Sequence, residues 1–155
     1  MTVSQIIDDK INLIIGSKLS SATLYANMLG LHFDLNEKGY ALHIQSFMRI
    51  IHKGKIIVTS GDYFIYDGED KTGTFNDLWI NMKMARDLII GSSVLSIKHN
   101  DFGDIDIILS NDSEIEIKIS NSKTNFIDRI EQYRFFPTHE NKKHFVVYSN
   151  GDFDE

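Results

Sequence analysis

The chain has 155 residues, 42% of them hydrophobic and 25% charged, which is the composition of one globular domain with a sizeable core. It contains no cysteine, which excludes disulfides and thiolate metal sites. Its formal net charge of -6 disfavours binding driven by phosphate neutralisation and suits a basic protein partner.

Residues 3–15 carry apolar side chains at Val3, Ile7, Ile11 and Ile14, with Ile6 and Ile15 widening the stripe, and this spacing predicts a helix. Gly16 is placed to end it in a left-handed turn. Asp8, Asp9 and Lys10 interrupt any apolar run, so a signal peptide is not expected, and the expected location is the cytoplasm. From Leu19 the period shifts toward two, with Ala22, Leu24, Ala26 and Met28 on one face. Gly30 is expected to interrupt as a bulge or turn. Leu29, Leu31 and Phe33 then alternate with His32, and residues 34–39 (DLNEKG) read as a polar turn.

Residues 40–63 (YALHIQSFMRIIHKGKIIVTSGDY) are the most patterned stretch. They predict two long strands joined at Lys53-Gly54, the first central and covered on both faces, with Leu42, Ile44, Met48 and Ile50 sharing one parity. Gly61-Asp62 marks a bend, and residues 63–66 are expected to continue as a short aromatic strand. Residues 67–73 (DGEDKTG) have loop composition, and Thr74 with Asp77 suggests a capping-box variant. A second helix follows, with Leu78, Met82, Ala85 and Ile89 as its core stripe and Gly91 as its stop.

The last third predicts a meander over 94–98, 104–110 and 114–120. Opposed residues of an antiparallel pair share a face, so apolar must meet apolar. The register expected on that basis pairs Leu109 with Ile115, Ile107 with Ile117 and Ile105 with Ile119, leaving Asn111-Asp112-Ser113 as the loop. Residues 121–138 are less regular, with a helical turn expected around Phe126, Ile127 and Ile130. Residues 145–148 form a last strand, and residues 149–155 (SNGDFDE) an acidic tail expected to fray. The fold class expected is α+β, one domain over 1–155, with a mostly antiparallel sheet of about six to eight strands and two packed helices.

The chemistry-bearing pattern is Asp104 and Asp106 followed by Glu116-Ile117-Lys118. It resembles the acid plus (D/E)xK signature of PD-(D/E)xK nucleases, in which two acids bind Mg²⁺ and a lysine stabilises developing charge. The same residues also suit the wet face of a hairpin, with Asp106 and Lys118 as a cross-strand pair. The histidines (His32, His43, His52, His99, His139 and His144) are scattered, and none forms a helical i, i+4 metal pair. His43 reads as a packed or hydrogen-bonded core histidine. GxSxG, GxGxxG and GxxxxGK[ST] are absent, so no nucleophile elbow or phosphate cradle is indicated, and no cofactor or metal is expected. Asp62, Asp67, Glu69 and Asp70 with Tyr63 and Tyr66 form an acidic, aromatic rim of the kind that meets basic side chains.

The segments IIGSKLSSATLYANMLGLHFD and ALHIQSFMRIIHKGKIIVTSGDYF resemble small bacterial proteins with a "GKKLS" segment, a short L-x-L/F strand, "ALHIQ-x-x-x-RI" and "GSGD-x-Y". The matching positions are 16–20, 29–33, 41–49 and 59–63, with Thr59 where glycine is common. Such proteins resemble immunity proteins of polymorphic toxin and contact-dependent growth inhibition systems. That resemblance implies a non-catalytic protein that binds and occludes a cognate toxin domain, commonly a basic nuclease, with no catalytic residues to carry over. The alternatives are a Mg-dependent nuclease centred on Asp106, Glu116 and Lys118, or a binding module of unknown ligand.

Overall fold

A computed structural model describes residues 1–26, 28–64, 77–122 and 129–155, positions 63 and 64 by their backbone. Helix α1 (Val3–Lys10) begins on a capping box that the apolar spacing did not announce. Thr2 Oγ1 accepts from Gln5 N at 3.3 Å, and Gln5 Oε1 accepts from Thr2 N at 2.8 Å. The expected helix over 3–15 tightens into a 3-10 turn at Ile11–Ile14, and Gly16 then takes φ +87°. Val3, Ile6, Ile7, Ile11 and Ile14 are all buried, as their spacing requires.

Strands β1 (Lys18–Tyr25), β2 (Met28–Leu35) and β3 (Lys38–Ile44) follow as an antiparallel meander. Gly30 interrupts nothing. It lies inside β2, opposite Thr23 and His43, and the hairpin turns earlier, where Ala26 takes φ +53°. β4 (Phe47–His52) and β5 (Lys55–Thr59) form the hairpin expected at Lys53-Gly54. Both turn residues have positive φ, 49° and 75°, which matches the right-handed twist of the flanking strands.

The long first strand expected over 40–51 is broken at Gln45-Ser46. Both of these residues donate their N–H to the Gln132 carbonyl, at 2.8 and 2.9 Å, and the chain passes there from one sheet to the other. Two residues is one full pleat period, so Leu42, Ile44, Met48 and Ile50 keep their common parity and are all buried. The opposite parity does not enter the core as a whole: Gln45 and Phe47 are exposed, and Arg49 and Ile51 half-buried.

A 3-10 turn at Ser60–Phe64 stands where the aromatic strand over 63–66 was expected to begin. Helix α2 (Asp77–Ile89) buries Leu78, Met82, Ala85 and Ile89, the expected stripe, and Gly91 closes it at φ +86°. The capping role expected of Thr74 and the loop at 67–73 lie outside the described residues.

β6 (Val94–His99), β7 (Ile105–Leu109) and β8 (Ser113–Lys118) form the expected meander in a different register. Ile105 faces Ile117, and Ile107 faces Ile115, two residues away from the pairing derived from parity. Parity fixes a register only modulo two, and the turn decides the rest. The loop is therefore Ser110-Asn111-Asp112, with Asp112 left-handed at φ +58° in the third position of a three-residue hairpin turn.

β9 (Glu131–Pro137) is a full strand where only irregular aromatics were expected, and it lies between β3 and β10 (Phe145–Tyr148). Phe126 and Ile127, expected in a helical turn, lie outside the described residues. The tail expected to fray over 149–155 instead makes a short turn and adds β11 (Phe153–Asp154) beside β10.

The α+β class and the antiparallel pairing hold in a single domain, and the strands number eleven among the described residues, divided between two sheets. One sheet has the order β1-β2-β3-β9-β10-β11 and the other β5-β4-β8-β7-β6. Backbone bonds Leu19 N to Ser92 O (2.9 Å) and Val94 N to Ser17 O (2.9 Å) tie the start of β1 to the start of β6. The inner faces of both sheets, α1 and α2 share one core. Tyr133 Oη, fully buried in β9, donates to the Gly103 carbonyl between β6 and β7 at 2.8 Å and so bridges the sheets. No helix among the described residues is long and apolar enough to cross a membrane.

Candidate functional site on the open face of the five-stranded sheet

Alternation along β4, β6, β7 and β8 turns their second residue set away from the core. Pairing aligns these residues in rows across the sheet. One row runs Lys98, Asp106, Glu116, Arg49 and Thr59, from β6 to β5. The next runs Ser96, Ile108, Glu114, Ile51 and Ile56. Four of the five residues of the first row are therefore charged, and the second row sets three isoleucines around a central carboxylate, with Ser96 at its end.

The carboxylates of Asp106, Glu114 and Glu116 reach within 4.8 Å of one another. Two of them are neutralised from within the chain. Arg49 binds Glu116, whose side chain is only 12% exposed, and Lys118 Nζ lies 2.7 Å from Asp106 Oδ1. The Arg49 hydrogen bond to Glu116, together with the charge of that carboxylate, raises the guanidinium further above its ordinary value. Glu114 has no ion pair among the described residues. Its neighbours across the strands are Ile108 and Ile51, so burial pushes its carboxyl pKa above the ordinary value, and the charges of Asp106 and Glu116 push it the same way.

The expected nuclease residues are thus partly gathered. Asp106, Glu116 and Lys118 share this face, but Asp106 stands directly opposite Glu116, and Lys118 reaches it diagonally. Asp104 is elsewhere. It accepts from Ile119 N at 2.8 Å and from Asn100 Nδ2 at 3.1 Å, which fastens the β6–β7 loop to the end of β8. Sequence reasoning missed Arg49 and Glu114. Arg49 lies 67 residues from its partner Glu116, and only the β4–β8 pairing joins them. Glu114 was legible as an outward residue of its strand, yet its apolar flanks come from two other strands.

Three carboxylates on one face can share a divalent cation or a basic side chain. Here Arg49 and Lys118 already occupy part of that capacity.

Of the expected partner-binding rim, Asp62 has an internal task. Its Oδ2 accepts from Thr59 N at 3.1 Å and from Asn81 Nδ2 at 3.0 Å, joining β5, the 3-10 turn and α2. Tyr63 lies in the 3-10 turn, described by its backbone. Tyr66, Asp67, Glu69 and Asp70 lie outside the described residues.

Three histidines that are far apart in sequence share the outer face of the six-stranded sheet. His32 pairs with Ala41, which pairs with Phe136. His43 meets Phe136 edge-on at 5.1 Å, and His144 stacks on the same ring at 4.0 Å. Burial lowers the pKa of His43, and the charges of Arg134 and His144 lower it further. His43 is therefore a packed, neutral-favouring residue, half-buried on the outer face and not in the core where the sequence reading put it. His52 and His99 lie on the other sheet, bonded to Ser113 (2.8 Å) and to Ser4 (2.9 Å) and Asp8 (2.8 Å).

Comparison with protein-family models, with curated proteins and with solved structures returns no match for this chain.

Proposed function

We propose that this chain is a non-catalytic immunity protein that binds a cognate bacterial toxin domain, a basic nuclease, and neutralises it by occlusion in the cytoplasm. The observation that carries the reading is the open face of the five-stranded sheet, where acid and aliphatic side chains interleave around Glu114. A carboxylate held between two isoleucines is partly desolvated and gains from an incoming guanidinium or ammonium. Ile51, Ile56 and Ile108 supply apolar area around it. The net charge of -6 would steer a basic partner toward this chain. The resemblance over residues 16–63 points to the same class. The rim of Asp62, Tyr63, Tyr66, Asp67, Glu69 and Asp70 remains a second proposed contact surface.

Co-expression with the adjacent upstream reading frame tests the reading. The neighbour is expected to kill alone and to be harmless beside this chain. A harmless neighbour, or one that kills despite this chain, removes the reading. Glu114→Lys and Asp67→Lys then separate the two surfaces, since only the contact surface loses protection on charge reversal.

The close approach of Asp106, Glu114 and Glu116 favours a second reading, a Mg-dependent nuclease with Lys118 as the charge-stabilising group. Incubation of the purified protein with DNA or RNA and Mg²⁺ decides it. Cleavage that survives Lys118→Ala unchanged belongs to a contaminant.

A further inference from the structure

Where the chain crosses between the sheets, a half-open cleft of about 330 Å³ lies against the crossing residues. Its aliphatic walls come from four separate parts of the fold. Leu24 and Leu29 belong to the β1–β2 hairpin, Ile44 to β3, Met48 to β4 and Leu78 to α2. Ser46 lines it at the crossing point itself. The volume falls at the lower end of the range of about 300–1,000 Å³ in which small-molecule sites occur.

Two features define what such a cleft would take. First, among the described residues no lining residue is ionisable: beyond the aliphatic walls these are Gln45, serines, Gly61 and the rim residue Phe47. An ion entering it would lose hydration with no countercharge from that lining. The lining therefore selects a neutral guest with an apolar body.

Second, Ser46 is 6% exposed, and its hydroxyl has no hydrogen-bond partner among the described residues. The other two serines of the lining are engaged: Ser60 Oγ accepts from Met48 N at 2.8 Å, and Ser120 Oγ donates to Gln132 Oε1 at 3.2 Å. The Ser46 N–H is also used, by the Gln132 carbonyl. A buried hydroxyl left without a partner is destabilising, and alanine in its place would avoid that cost. The Ser46 oxygen is closed to solvent, so a hydroxyl, amide or carbonyl group of a guest would satisfy it once the Ser46 side chain turns toward that guest.

We propose that this cleft is a binding site for a small neutral molecule with an apolar body and one hydrogen-bonding group, held by Ser46 at the β3–β4 crossing. The proposal stands apart from the immunity reading, since it needs neither a toxin nor the charged sheet face.

The test is a titration of the full chain, labelled with ¹³C at Ile, Leu and Met methyls, with three probes of similar shape: benzyl alcohol, ethylbenzene and the benzylammonium ion. Benzyl alcohol is expected to give saturable shifts centred on Leu24, Leu29, Ile44, Met48 and Leu78. It should bind more tightly than ethylbenzene, and benzylammonium should leave these methyls unmoved. These arms use the native protein alone. In Ser46→Ala, benzyl alcohol is expected to lose roughly three- to tenfold in affinity while ethylbenzene changes less than twofold, the size of one neutral hydrogen bond. Absence of saturable shifts with both neutral probes, shifts centred on other methyls, or an equal loss of both probes in Ser46→Ala would overturn the proposal.

Discussion

The two sheets present similar apolar faces to the core and very different faces to the outside. On the six-stranded sheet the outer face is covered by rings. Tyr25 leans over Gly30, where an added Cβ would come within 3.2 Å of its ring, and Phe136 is held between His43 and His144. Its ion pair of Arg134 with Glu131 closes locally, within one strand. On the five-stranded sheet the outer face is a mostly charged row beside a mostly aliphatic row, and Glu114 there has no ion pair among the described residues, with the charges of Lys98 and Lys118 acting on it from further off. The difference teaches that an antiparallel sheet constrains only its inner face. The outer face is free to be finished by stacking, which completes the monomer, or by charge, which leaves capacity for a partner.

The largest effect should come from the inner faces, where the sheets ought not to differ. Leu42→Ala in one sheet and Ile117→Ala in the other, both 0% exposed, should each cost about 2–5 kcal/mol. Each variant should still unfold in urea as a single transition by circular dichroism and Trp79 fluorescence. Two separated transitions would mean that the sheets do not share one core.

A smaller loss should follow from cutting the bridge between them. Tyr133→Phe removes the donor to the Gly103 carbonyl and leaves that acceptor unpaired, at a cost of about 1–3 kcal/mol. A shift in the denaturation midpoint indistinguishable from zero would show that this hydrogen bond contributes nothing to joining the sheets.

The outer faces should then respond to pH in opposite senses. Glu114 has a folded pKa above its ordinary 4.5, so the native state binds more protons than the unfolded chain in the window just above that value. Stability from this group is present at low pH and lost as pH rises through the folded pKa. Glu114→Gln should therefore raise the midpoint at pH 7 and flatten the slope above pH 4.5. An unchanged pH profile would place the carboxyl in ordinary solvent.

His43 is the converse and the smallest case. Its folded pKa lies below 6.5, so the unfolded chain binds more protons just below that pH, and stability falls as pH drops through the window. His43→Gln should remove that slope on the acid side. A native slope that persists in the variant would assign it to another group.

Much of this was legible from one sequence, and the reason is local. The α2 stripe of Leu78, Met82, Ala85 and Ile89, the Lys53-Gly54 turn and the inward parity of the meander each follow from periods of 3.6 or 2 and from φ preferences at two or three residues. Such signals need no knowledge of the rest of the chain. What tertiary structure decided is everything that depends on a partner strand. Parity at Ile105, Ile107, Ile115 and Ile117 allowed registers two residues apart, and the left-handed Asp112 turn selected one. The break at Gln45-Ser46 leaves the alternation intact, so periodicity could not reveal it, and the carbonyl that holds it belongs to Gln132. Arg49, Glu114 and Glu116 likewise form one face only because three distant segments lie side by side. A local sequence determines which way a side chain points from its own backbone, and only the assembled sheets determine what it meets there.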